Sequence, residues 1–109
     1  MSFLASLRER ASRTRPRIGF PEAREPRTAE AILRLAEEGA VRPVVVEAAS
    51  DVDASLTAHR TVDILDPYAP GRRGEVAELL PEIGSGGPVD TLRFAAAQLS
   101  TGRLDGVVA

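Results

Sequence analysis

Short apolar runs alternate with amphipathic segments along the chain, which is the pattern of strands separated by helices. Three of the runs are predicted to be strands: residues 17–20, 43–46 and 61–65. A fourth predicted strand begins in residues 104–108, where the sequence stops. The run at 43–46 is apolar throughout, as expected for a strand whose sheet is covered by helices on both faces.

Apolar residues recur at helical spacing in five other segments: residues 1–16, 26–38, 51–58, 73–80 and 88–100. Pro26 suits the first turn of its helix, and Gly39 is expected to end it. Ser50 and Asp53 have the three-residue spacing of a helix start, so they are predicted to open the short helix at 51–58. The residues predicted to face the core from the last helix are Val89, Leu92, Ala96 and Leu99.

Strand–helix alternation with short connections predicts one α/β domain over residues 1–109, with three αβα layers around a mostly parallel sheet. Its crossovers should be right-handed. Residues 81–88 read PEIGSGGP, a composition that predicts a flexible glycine-rich loop.

Composition and charge exclude several functional classes. The chain has no cysteine, which rules out disulfides, zinc–thiolate sites and cysteine nucleophiles. A net charge of −2 is no signature of nucleic-acid binding, and no apolar run approaches the ~20 residues that span a bilayer. Residues 1–17 carry five arginines and one glutamate, which suits a transit peptide or a membrane-surface helix, but the narrow apolar stripe favours an ordinary first helix. We expect a cytoplasmic protein with neither a nucleic-acid nor a membrane partner.

Standard catalytic signatures are missing from the sequence. His59 is the only histidine, and no serine or carboxylate is recognisably paired with it. No spacing suits a metal site, and neither a Walker A loop nor a G-x-G-x-x-G motif follows a strand. The glycines of IGSGGPVDTL lead into a helix and resemble a phosphate cradle, but a plain connection is the favoured interpretation. We therefore predict no catalytic residue and no metal ligand.

The turn after the first strand is the best candidate site, because Glu22, Arg24, Glu25 and Arg27 crowd it. Open α/β sheets bind ligands beyond the carboxyl ends of their strands, which is where this turn lies. An arginine gains nothing from the dipole at a helix start. Either a ligand's negative charge or Glu22 would therefore hold the arginines there, and a solvated salt-bridge network is the open alternative.

The ordered pieces together resemble the amino-terminal domain of the phosphate acetyltransferase and phosphate butyryltransferase family. The matching segments are MSFL with RERA, RIGFPE, RTAEA, EGAVRPVVV, VDILDP and GRLDGVV. Residues 68–91 match least. The resemblance covers nearly the whole chain, and it depends on the order and spacing of short segments.

The resemblance implies the first domain of an isocitrate-dehydrogenase-like fold, in a dimeric two-domain transferase. That enzyme converts acetyl-CoA and phosphate to acetyl phosphate and CoA, with coenzyme A as a substrate and with no metal or other cofactor. Its catalytic aspartate and serine belong to the second half of the family's proteins. We therefore expect the chain to be the amino-terminal part of such an enzyme and to be inactive alone.

For the site, the resemblance implies that Arg27 contacts a phosphate group of the substrate or of CoA. Glu22 would orient Arg27, and Arg24 would lie in the same substrate- and CoA-binding site. The family's basic segment before its later helices is replaced here by residues 82–87, which contain no arginine.

The alternative to part of an acyltransferase is a stand-alone, non-catalytic α/β module for binding or assembly. A third hypothesis, a divergent enzyme for an acidic substrate, ranks last because no acid–base pair is visible in the sequence. The expected partners are acyl-CoA with phosphate or acyl phosphate. Because an unpaired apolar strand edge promotes association, we also expect a homo-oligomer or a missing second domain.

Overall fold

A computed structural model describes residues 15–81 and 88–108. Within these ranges the chain forms one four-stranded parallel sheet in the order β3-β2-β1-β4. The strands are β1 (Arg17–Phe20), β2 (Arg42–Val45), β3 (Asp63–Ile64) and β4 (Gly106–Val107). The predicted α/β class with a parallel sheet is confirmed, although β3 is shorter than predicted. The predicted first helix and residues 82–87 of the predicted loop lie outside the described residues.

The described helices are α1 (Pro26–Glu38), α2 (Ala54–Thr57), α3 (Arg73–Leu79) and α4 (Thr91–Ser100). Pro26 begins α1, and Gly39 ends it in the left-handed conformation with φ 73°, its N–H donating to the Leu35 carbonyl. Both predictions for this helix are confirmed, because proline has no N–H to lose and glycine has no Cβ to clash. None of the described helices has the length and apolar character needed to cross a membrane.

Helices cover both faces of the sheet. Alternate residues of a strand point to opposite faces, so Val45 of β2 packs with α1 and α2 while Val44 packs with α3 and α4. Both valines are fully buried, and burying such a side chain contributes about 1.5–3 kcal/mol. The helices change face where the strand order reverses at β1, as right-handed crossovers require. The predicted three-layer arrangement is therefore confirmed.

The start of α2 differs from the prediction. Ser50 lies in a separate 3-10 turn (Ala49–Asp51), and Val52 after it is extended. Asp53 is the cap of α2, because its carboxylate accepts the N–H of Ser55 at 2.9 Å. The three-residue spacing was therefore misleading, since a carboxylate at the cap position itself satisfies the first free N–H of the helix.

The inward face of α4 was predicted wrongly for Leu92, Ala96 and Leu99, which are exposed, although Val89 before the helix packs against the core as predicted. Phe94, Ala95 and Gln98 are buried, whereas Leu92 and Leu99 are 43% and 41% exposed. Phe94 has the largest apolar surface in the helix, so burying it is worth more than burying either leucine. The amide of Gln98 is tolerated inside because it donates to the carboxylate of Glu75.

Candidate functional site

A cleft of about 840 Å³ opens at the carboxyl ends of the strands, between the loops that follow β1, β2 and β3, the start of α4 and the end of β4. The strand order runs outward from β1 in both directions, so this is the topological switch point where open α/β sheets bind ligands. The three predicted site residues, Glu22, Arg24 and Arg27, all line the cleft.

Two prolines and one hydroxyl shape the wall of the cleft next to β1. Pro21 follows β1 directly, and its carbonyl accepts the hydroxyl of Thr91 at 2.9 Å, which ties the start of α4 to this turn. Pro26 then begins α1, which carries no side-chain cap and no acidic residue in its first turn. The positive end of this 13-residue helix therefore meets the cleft beside Arg27.

Arg24 is held by carboxylates that are distant in the sequence. Its Nε lies 3.3 Å from Oε2 of Glu47, and its Nη2 lies 2.8 Å from Oδ2 of Asp51. Glu47 and Asp51 follow β2, so the fold brings them to the turn after β1. They, and not Glu22, are the ion-pair partners of Arg24.

Glu47 is the buried carboxylate of the cleft, with only 5% of its surface exposed. Burial raises the pKa of Glu47 above its ordinary value of 4.5, and the charges of Asp51 and Glu22 add to the rise. Arg24 acts in the opposite direction but does not cancel the burial. The cleft therefore contains a carboxylate that is less stable in its ionised form than an exposed one.

Arg27 and Glu22 are both exposed at the cleft. Within the described residues, neither side chain forms a hydrogen bond or an ion pair. The structure therefore brings Glu22 into the same cleft as Arg27 without making it a contact partner.

Tyr68 is a cleft residue that the sequence analysis did not single out. Its backbone N–H donates to Oδ1 of Asp66 at 2.8 Å, and its hydroxyl accepts the N–H of Val89 at 2.8 Å. Oδ2 of Asp66 also accepts the N–H of Ala49, which links the loops after β2 and β3. The available signal was an Asp-Pro turn after a strand, followed by the only tyrosine of the chain.

The cleft carries more negative than positive side chains. Its two guanidiniums are those of Arg24 and Arg27, and its five carboxylates are those of Glu22, Glu25, Glu47, Asp51 and Asp90. Asp90 caps α4, accepting the N–H groups of Leu92 and Arg93. In the part of the chain that the structure describes, no group of three or more potential ligands is arranged to hold a metal ion.

His59 lies outside the cleft, at the end of α2. It is half-buried, and its Nδ1 lies 3.0 Å from the hydroxyl of Thr61. The glycine-rich stretch that resembles a phosphate cradle falls largely within residues 82–87, outside the described residues.

No protein-family model matches the chain, and no curated protein matches it at a significant level. The resemblance to phosphate acyltransferases therefore stays a prediction, based on the segments quoted above.

Proposed function

We propose that the chain is the amino-terminal, substrate-binding part of a phosphate acyltransferase. In the reaction, phosphate attacks the acetyl carbonyl of acetyl-CoA, the thioester C–S bond breaks, and acetyl phosphate and CoA are formed. The observation that supports this best is the position of Arg27, which stands at the switch-point cleft beside the uncapped start of α1. A phosphate group bound there would meet a guanidinium and helix N–H groups together.

The two cleft arginines have different roles in this proposal. Arg24 is already paired with Glu47 and Asp51, so it fixes the loops after β1 and β2 against each other. Arg27 has no ion pair within the described residues and supplies the charge that meets the phosphate. Glu22 lies close enough to shape the local field, since it raises the pKa of Glu47.

Two polar side chains of the cleft already serve the fold. The hydroxyl of Thr91 is committed to the Pro21 carbonyl, and Asp90 is committed to capping α4. The resemblance assigns the catalytic aspartate and serine to a second half of the enzyme. We therefore expect this chain to bind substrates without turning them over.

Replacing Arg27 tests the proposal. Arg27→Ala should weaken the binding of acetyl phosphate and of CoA by about 10- to 100-fold, because a charge-assisted hydrogen bond to the phosphate is lost. Isothermal titration calorimetry measures both affinities. Arg60→Ala is the matched control, since Arg60 is exposed and lies outside the cleft. Equal affinities for the wild-type chain and Arg27→Ala would overturn the proposal.

A non-catalytic binding module is the second candidate, and it is favoured by the structural roles of Thr91 and Asp90, which both use their side chains to hold the start of α4. Thiol release from acetyl-CoA in the presence of phosphate separates the two. A phosphate acyltransferase half should become active when the carboxyl-terminal domain of such an enzyme is added. A module should bind ligand and remain inactive. In both cases a second domain or a second copy of the chain is the proposed protein partner.

A further inference from the structure

We propose that the ligand of the cleft is a nucleotide whose base stacks on the ring of Tyr68 and whose phosphate lies towards Arg27. This inference rests on the proposed function, in which the nucleotide is the adenosine 3′,5′-bisphosphate portion of CoA. It names the part of that substrate which the described residues recognise.

Tyr68 is held at both ends while its ring stays open to the cleft. Asp66 accepts its backbone N–H, and its hydroxyl accepts the backbone N–H of Val89. The residue is nevertheless 48% exposed. A ring fixed in this way loses little conformational entropy when a ligand packs against it, so the surface is pre-organised for a flat partner.

The hydrogen bond from Val89 holds the backbone before α4, but this role does not explain why Tyr68 is exposed in the cleft. The bond to Val89 uses only the hydroxyl, and the residue lines the cleft with 48% of its surface exposed. Aromatic side chains exposed beside cationic groups are the usual platforms for nucleobases, because every base has a face that stacks. The ring lies on the loop after β3 and Arg27 in the first turn of α1, and both line the same cleft, which suits a ligand with a base at one end and a phosphate at the other.

The charge of the cleft favours a nucleotide over free phosphate. Five carboxylates against two guanidiniums weaken the hold of the cleft on a small anion that has no contact besides Arg27. A nucleotide concentrates its charge near Arg27 and presents a neutral base to Tyr68. Its ribose hydroxyls can donate to exposed carboxylates such as Glu22 and Glu25, as acidic residues beside β-strand ends do in dinucleotide sites.

The chain contains its own probe for this proposal, since Tyr68 is the only tyrosine and there is no tryptophan. Intrinsic fluorescence of the 109-residue chain therefore reports on Tyr68. Adenosine 3′,5′-bisphosphate should quench that fluorescence, after correction for absorption by the base. Ribose 5-phosphate, the matched ligand without a base, should not. Equal quenching by both would show that the ring meets a sugar, and no quenching by either would show that nothing stacks there; each result overturns the proposal.

Two variants separate the ring from its hydroxyl. Tyr68→Leu should weaken adenosine bisphosphate binding by about 5- to 150-fold in calorimetry and leave ribose 5-phosphate unchanged, because stacking is lost. Tyr68→Phe keeps the ring and should bind within about threefold of the wild type, although its unfolding temperature falls with the lost Val89 bond. Unchanged binding by Tyr68→Leu would overturn the proposal.

The failure of this inference differs from the failure of the proposed function. If acetyl phosphate binding depends on Arg27 while nucleotide leaves the fluorescence of Tyr68 unchanged, the proposed nucleotide site is wrong and the proposed function stands. If adenosine bisphosphate quenches Tyr68 while acetyl phosphate fails to bind, the nucleotide site stands and the acyltransferase is wrong.

Discussion

The two ends of the sheet use the same kinds of side chain to opposite effect. At the amino end, Arg42 of β2 and Asp63 of β3 form a two-pronged ion pair with distances of 2.6 and 2.8 Å. At the carboxyl end, Arg24 reaches buried Glu47 through one contact at 3.3 Å and exposed Asp51 through one at 2.8 Å, and Arg27 has no ion pair within the described residues. At the amino end complementary charges join neighbouring strands, whereas the carboxyl end leaves charge and an aromatic ring facing the larger cleft.

The pKa values of the two carboxylates follow this difference. The Arg42 guanidinium donates to Asp63 and holds the pKa of Asp63 below its ordinary value of 3.8. Burial raises the pKa of Glu47 despite the nearby Arg24. The Arg42–Asp63 pair stabilises the fold through two short hydrogen bonds. The Arg24–Glu47 pair leaves a buried carboxylate whose ionised form is destabilised by burial. The comparison suggests that the amino end serves stability and the carboxyl end serves binding.

The largest expected effect is at a second ion network near the amino end, formed by Arg72, Glu75, Gln98 and Arg103. Glu75 accepts from Arg72 at 2.7 Å and from the buried amide of Gln98. Glu75→Ala should lower the free energy of unfolding by about 1–3 kcal/mol, because Gln98 is left buried without its partner. Urea unfolding measures the loss.

Two controls sharpen this prediction. Glu75→Gln still presents an oxygen to Gln98 and should lose less stability than Glu75→Ala. Glu22→Ala, at the exposed carboxyl end, should stay within about 0.5 kcal/mol of the wild type. If Glu22→Ala were as destabilising as Glu75→Ala, the two ends of the sheet would not differ in the way described.

A smaller effect is expected from Arg24→Ala. It removes the guanidinium that donates to buried Glu47, but Arg24 itself is largely exposed and its charge is screened. The loss should be about 1 kcal/mol at neutral pH. Combining Arg24→Ala with Glu47→Gln should recover most of that stability, since an amide needs no counter-charge. A double-mutant cycle in urea unfolding measures the coupling, and additive losses would contradict the pairing.

Local signals in the sequence were enough to place much of the fold. The strand at 17–20 and the helix between Pro26 and Gly39 were predicted because their apolar spacing and end residues act within a few positions. The site was predictable only in part. The turn after β1 identified Arg24 and Arg27 as cleft residues, since parallel strands present their carboxyl ends at one edge.

The remaining features depend on contacts between distant segments. The partners of Arg24 lie 23 and 27 residues away, on a different loop. The rotation of α4 is set by Phe94 and by the Gln98–Glu75 bond, and neither shows in the apolar spacing of the helix alone. Tyr68 becomes a cleft residue only through Asp66 and Val89, so its position could not be derived from its own neighbourhood.

The smallest expected effect is the sharpest test of the comparison, because the contributions of Asp63 and Glu47 to stability should change with pH in opposite directions. The folded-state pKa of Asp63 is lowered, so its contribution is present above about pH 3.8 and is lost as the pH falls through the folded pKa. Asp63→Asn should therefore flatten the acid side of the stability curve. The pKa of Glu47 is raised, so its contribution is complete below about pH 4.5 and is lost as the pH rises through the folded pKa.

Glu47→Gln should therefore gain stability relative to the wild type as the pH rises from 4.5 towards neutrality, whereas Asp63→Asn should lose stability relative to the wild type as the pH rises towards 3.8 from below and change little above it. Both changes should stay below about 1 kcal/mol, because Arg42 and Asp63 are partly exposed and Arg24 is largely so. Urea midpoints measured from below pH 3.8 up to neutrality give the two differences directly, and each should slope in the opposite direction within its own window. Slopes of the same sign would mean that the two carboxylates are in equivalent environments, and the distinction between a stabilising end and a binding end would fail.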